Sequence, residues 1–182
     1  MKSTKIRYGL VALVLIAAFA AAYYYSLQAI PDPSQNLIAW RPFNEGIALA
    51  KQSHKKIFVD VYTDWCSWCK KMDSEVYSNK EVARLLNEHF VAIKLNAESN
   101  QSVSFNGRNL AESELAQQFG VTGYPTLLFF DQQADPITSI PGYSPSETFS
   151  KVLGFVVEDY YKTTTDVFKT SRRWSSVVCT NR

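Results

Sequence analysis

Apolar residues recur at two different periods along the middle of this chain, and the changes of period mark out its elements. Between Phe43 and Ser53 the spacing is helical, with Phe43, Ile47 and Ala50 on one face. Ile57 to Tyr62 is a short run rich in β-branched and aromatic residues, of the length expected for a central strand. A helical stretch opens at Cys66 and reaches about Val76. A second follows, with Val82, Leu85, Leu86 and His89 along one stripe. Val91 to Asn96 predicts another strand. Asn96 to Asn109 is polar, with Asn106-Gly107 as a turn signal. Leu110 to Phe119 is helical again, ended by Gly120. Thr126 to Asp131 and Ile137 to Pro141 predict a hairpin over a polar loop. Ser144-Pro145-Ser146-Glu147 predicts a helix start, with Ser144 as N-cap, Pro145 at N1 and Glu147 at N3 completing a capping box. Phe149, Val152, Leu153 and Val156 form the buried stripe of that helix.

Strands that alternate with helices and close in a hairpin predict an α/β fold, a central mixed β-sheet flanked by helices. The pattern covers residues 38–161. Before it, Lys2, Lys5 and Arg7 precede an uncharged run from Tyr8 to Ile30. Residues 1–30 therefore read as a signal peptide or an N-terminal membrane anchor. Ala20 and Ala22 would allow cleavage. Residues 8–27 are just long enough to span a bilayer, and Tyr23-Tyr24-Tyr25 would suit its interface. With the positive charges ahead of the run, both readings place the rest of the chain outside the cytoplasm. Residues 31–37 read as a short, stiff linker, and residues 162–182 as a basic C-terminal tail.

Composition narrows this only a little. The chain has 182 residues, 46% of them hydrophobic, and a net charge of +2. That is an ordinary globular protein, and so weak a charge gives no case for nucleic-acid binding.

The candidate chemistry lies where the first strand meets the following helix, in Asp64-Trp65-Cys66-Ser67-Trp68-Cys69-Lys70. A C-x-x-C pair at such a junction is the arrangement of a redox-active dithiol. The helix N-terminus supplies unpaired N–H groups and the positive end of the dipole, which favour the thiolate. Cys66 is expected in the first turn, exposed, as the attacking thiol. Cys69 is one turn deeper and would resolve the intermediate. Lys70 and Lys71 add positive charge nearby, and Asp64 opposes them. A zinc site would need further ligands, and only Cys179, His54 and His89 remain, none at ligand spacing. A carboxylate at Asp60, on an apolar strand, is costly unless paired or protonated.

Beyond the motif, the chain resembles the thioredoxin superfamily. Asp60 lies six residues before Cys66, Trp65 directly precedes it, and Lys94 falls on the next strand. Tyr124-Pro125-Thr126 is similar to the family's cis-proline loop, and Gly142 matches its glycine after the following strand. Glu75 to Val82 and Ala50-Lys51 are similar to exported bacterial members, including the C-terminal domain of a transmembrane thiol-electron transporter and periplasmic thioredoxins. The resemblance implies a thioredoxin-like fold and an extracytoplasmic thiol–disulfide oxidoreductase, leaning towards a reductase of protein disulfides. It implies that Asp60 exchanges protons with Cys69, with Lys94 as its partner across the sheet. It also implies that Trp65, Trp68, Tyr124 and Pro125 line the substrate site, that no cofactor is needed, and that a membrane thiol-electron donor supplies reducing equivalents. Ser67-Trp68 between the cysteines and Ser74, where typical members have a helix-kinking proline, depart from the pattern. Two rival readings are a copper- or zinc-handling binding module and a non-catalytic adaptor of the same fold.

Overall fold

The computed structural model describes residues 15–21 and 37–162. The chain divides into two units between Gln35 and Asn36. In the first, residues 15–21 are helical, with Leu15, Ile16 and Phe19 exposed. The remaining parts of the expected leader, the linker up to residue 36, and the tail with Cys179 lie outside the described residues.

The second unit runs α1 (Phe43–Ser53), β1 (Lys56–Tyr62), α2 (Ser67–Lys71) continuing as a π-helical turn (Met72–Tyr77), and α3 (Lys80–His89). Then come β2 (Phe90–Asn96), β3 (Ser102–Phe105), β4 (Arg108–Ala111), α4 (Glu112–Gln118), β5 (Thr126–Phe130), β6 (Pro136–Pro141) and α5 (Ser146–Val157). The main sheet has the order β2-β1-β5-β6. β1 is parallel to β2 and antiparallel to β5, which is antiparallel to β6, so the sheet is mixed.

Alternation along the central strands builds two cores. Ile57, Val59 and Val61 of β1 face one side with Leu128 and Phe130 of β5, against Phe43 and Ala50 of α1 and Leu115 of α4. Phe58 of β1 faces the other with Leu127 and Phe129, against Met72, Val76, Leu86, Phe149 and Leu153. The ring of Phe58 lies 5.3 Å from Phe129 and 5.5 Å from Phe149. Burial on both faces explains why β1 and β5 read as near-continuous apolar runs. The same alternation puts Asp60 on the Phe58 face, under the helix that carries the cysteines.

Two local expectations are corrected, around residues 96–110 and at Ser144. The polar stretch after β2 holds a second, two-stranded sheet, β3–β4, turned at Asn106-Gly107, both with positive φ. Val103 and Phe105 are buried there while Ser102 and Ser104 are exposed, an alternation four residues long. Leu110 accordingly belongs to β4, and α4 opens later, at Glu112. The helix start near residue 145 also differs. Pro145 is the N-cap, no side chain caps the helix, and Ser144 is not its cap. Ser146 Oγ instead donates to the Glu75 carbonyl at 2.8 Å, and Glu147 pairs with Lys151. At Ser74 the backbone takes a wide π turn, and Ser74 Oγ donates to the Lys71 carbonyl and Ser78 Oγ to the Ser74 carbonyl.

Candidate active site

Register gathers the site at one end of the sheet. Tyr62 pairs with Asn96, Val61 with Thr126, and Thr126 with Pro141. The last residues of β1, β2 and β6 and the first of β5 therefore lie side by side. The segments that join these ends carry Trp65, Cys66 and the start of α2 with Cys69, Glu98, Tyr143, and the cis peptide Tyr124-Pro125. The N–H of Gly142 donates to the Pro125 carbonyl at 2.7 Å, tying two of those loops together.

Cys66 and Cys69 form a disulfide, with their Cα atoms 5.3 Å apart. Cys66 is the N-cap of α2, and its Sγ accepts the backbone N–H of Cys69 at 3.0 Å. The Cys66 N–H donates to the Thr63 carbonyl at 3.2 Å, closing the strand-to-helix turn. An N–H aimed at the sulfur, at the positive end of the helix, stabilises a thiolate there once the bond is reduced. The expected exposure of Cys66 is not found. It is 3% exposed, against 2% for Cys69, because its sulfur turns back onto the first helical turn. What separates the two is backbone position, Cys66 at the cap and Cys69 inside the helix.

Asp60 is fully buried. Burial pushes its carboxyl pKa up, opposed by the neighbouring ammonium of Lys94, whose Nζ lies 2.7 Å from Oδ2. The two residues are register partners on β1 and β2. The Tyr77 hydroxyl is buried near the same carboxylate, although neither it nor Asp60 Oδ1 reaches good hydrogen-bond geometry. Burial and the charge of Asp60 together push the Tyr77 phenol well above its ordinary pKa. Burial would lower the Lys94 pKa, but Asp60 and Asp73 outweigh it and hold that pKa above its usual value.

Asp73 is a member of this network that the sequence reading missed. Lys94 Nζ lies 2.6 Å from Asp73 Oδ1, so one ammonium bridges a buried and an exposed carboxylate. Trp40, Tyr62 and Tyr77 surround the same ammonium at 4.8, 5.1 and 5.1 Å from their ring centroids. The available signal was the position of Asp73 one turn beyond Cys69 on the same helix.

Around the cysteines, Trp65 is 66% and Trp68 53% exposed. Trp65 meets Tyr124 edge to face, with centroids 6.0 Å apart. Trp68 packs on Tyr143, which the sequence reading did not single out. The structure thus brings together Cys66, Cys69, Trp65, Trp68, Tyr124 and Pro125 at one end of the sheet, with Asp60 and Lys94 on adjacent strands. His54 caps α1 and His89 ends α3, at the far ends of β1 and β2 from the cysteines. Among the described residues there is no group of three or more His, Cys, Asp and Glu side chains able to hold a metal ion.

A C-x-x-C disulfide at the head of a helix, with a buried carboxylate on the preceding strand and a cis-proline at the same end of the sheet, is the arrangement of a redox-active dithiol. Residues 43–157 match the profile of the thioredoxin-like domain, and the chain belongs to that family. It is similar to the thiol:disulfide interchange protein DsbD of Citrobacter koseri, 32% identical over 108 residues. That match takes in 58% of this chain and 17% of DsbD, so the chain spans about a sixth of that relative's length. Among solved structures it is similar to a thioredoxin-fold protein from Helicobacter pylori, with TM-score 0.57 and 25% identity over 69% of this chain and 83% of that one. It is also similar to a thioredoxin from Thermus thermophilus, with TM-score 0.54 and 28% identity over 65% and 86% of the two chains.

Proposed function

We propose that this chain is a thiol–disulfide oxidoreductase that works outside the cytoplasm and reduces disulfides in proteins. The observation that carries the reading is the Cys66 sulfur held as a helix cap by the Cys69 N–H, on the sheet face where Asp60 lies buried. In the reduced form, the Cys66 thiolate attacks one sulfur of a substrate disulfide. A Cys66–substrate bond forms, and the other substrate sulfur leaves as a thiolate and takes up a proton. Cys69 then gives its proton to the Asp60 carboxylate and attacks Cys66 Sγ. The mixed disulfide breaks, the second substrate sulfur leaves, and the chain holds the Cys66–Cys69 disulfide. Two electrons have passed to the substrate. A thiol donor in the membrane returns them by the same exchange in reverse, and no cofactor takes part.

Asp60 suits this role because burial raises its proton affinity while Lys94 keeps its charge tolerable. Pro125 and Tyr124 offer the backbone edge on which an extended substrate segment pairs, with Trp65 and Trp68 on either side. The similarity to DsbD supports a membrane thiol donor. The cationic start and uncharged run of residues 1–30 support export, by cleavage or by a retained anchor at residues 8–27. Among the described residues no helix is long and apolar enough to cross a membrane, and most of that run lies outside them.

Equilibration with glutathione redox buffers tests the direction. A reductase is expected near the thioredoxin potential of about −270 mV, whereas a value near −120 mV would make it an oxidase. Labelling intact cells with a membrane-impermeant thiol reagent tests location. Modification of Cys66 is expected after mild reduction, and protection until lysis would place the site inside.

A further inference from the structure

Two aromatic walls flank the disulfide, and they differ in charge. In the sheet order β2-β1-β5-β6 the loop after β2 lies to one side of the motif and the loop after β6 to the other. On the β2 side, Trp65 Nε1 donates to Glu98 Oε1 at 2.9 Å. Asp64 is exposed next to it, 3.4 Å from Asn96 Nδ2. On the β6 side, the rings of Trp68 and Tyr143 lie 5.5 Å apart. The Lys71 ammonium sits 5.1 Å from the Trp68 centroid and 5.0 Å from that of Tyr143. Lys70 is exposed beside it. Glu75 approaches Lys71 only to 3.9 Å and takes the Tyr143 hydroxyl at 2.7 Å instead.

Each exposed tryptophan is therefore pinned by a charged partner, an anion on one side and a cation on the other. Pinning spares the entropy that two long surface side chains would lose on meeting a substrate. It also leaves large, oriented ring faces beside the reacting sulfurs.

We propose that these walls choose among protein disulfides by charge order. The occupant is an extended, cystine-bearing segment with a basic side chain facing Glu98 and Asp64 beside Trp65, and an acidic one facing Lys71 beside Trp68. Charge complementarity sets which way round the segment lies and which cystines are taken. This rests on the oxidoreductase reading and names the substrate feature it recognises.

The test uses short peptides with one cysteine blocked as a neutral 2-hydroxyethyl disulfide. One peptide is neutral, and the others carry lysine or glutamate two residues before or after the cysteine. Oxidation of the reduced protein by each gives a rate constant. The lysine-to-glutamate rate ratio is expected to exceed one on one flank and fall below one on the other, by about twofold to fivefold, the range for exposed charge pairs. Glu98→Gln should bring the first ratio towards one and Lys71→Met the second, and about 0.5 M salt should flatten both. Ratios of the same sign on both flanks, or a Glu98→Gln variant that shifts both flanks equally, would overturn the proposal. If the neutral peptide fails to oxidise the wild-type chain, the oxidoreductase reading falls, and the charge-order proposal with it.

Discussion

Asp60 is where burial and chemistry meet most sharply. Burial of this carboxylate raises its proton affinity, the like charge of Asp73 adds to the rise, and Lys94 opposes it with an ion pair. Two results follow. Asp60→Asn should slow disulfide exchange at neutral pH by about tenfold to a hundredfold, at or below the low end for general acid–base catalysis, with the fold intact. Stopped-flow oxidation of the reduced protein across pH measures it, and identical rates from acid to alkali would contradict the role. The second result concerns stability. With its folded pKa above the unfolded one, Asp60 binds its proton more tightly in the native state. Stability is then undiminished below the unfolded pKa and falls as pH rises towards the raised folded pKa. The Asp60→Asn variant escapes that loss, so its stability relative to wild type in urea unfolding should rise as pH climbs above the unfolded carboxyl value of about 3.9. A relative stability that falls with rising pH would contradict it. Asp60 and both cysteines stood out in sequence as residue types at fixed places relative to the strands, and Lys94 entered through the family resemblance. Asp73, Glu98 and Tyr143 did not stand out, since their roles depend on pairings across 21, 33 and 75 residues of chain, with Lys94, Trp65 and Trp68 respectively.

Periodicity was enough to locate the elements that form the cores. β1, β2, β5 and β6 fall within one residue of their expected bounds, β1, β2 and β5 because buried strands leave near-continuous apolar runs. The β3–β4 hairpin escaped because each of its strands has only four residues, too short for alternation to stand out from a polar loop. The start of α5 lies one residue later than expected, with Pro145 rather than Ser144 at the N-cap and Glu147 drawn into an ion pair with Lys151. Gly46 shows an element-level constraint that no motif announced. It is a buried residue of α1, and a Cβ there would collide with the side chain of Ile93 on β2. Gly46→Val should cost about 1–3 kcal/mol by overpacking, read as a lower urea midpoint with unchanged slope. A midpoint equal to wild type would show that α1 can lift off the sheet without penalty.

At the scale of the whole chain, the domain carries the proposed exchange chemistry, and the cationic start and uncharged run of residues 1–30 support the proposal that it takes place outside the cytoplasm, where disulfides persist. The chain matches only about a sixth of the DsbD of Citrobacter koseri, so its partners are its own to establish. The most direct measurement is trapping in cells with the full chain carrying Cys69→Ser. That variant keeps the Cys66 thiolate and removes the thiol that would release a substrate. Mixed disulfides that dissolve on reduction and vanish when Cys66 is also replaced by serine are the predicted result. Absence of such adducts, with the variant folded and its Cys66 thiol titratable, would contradict the claim that this pair exchanges disulfides with other proteins.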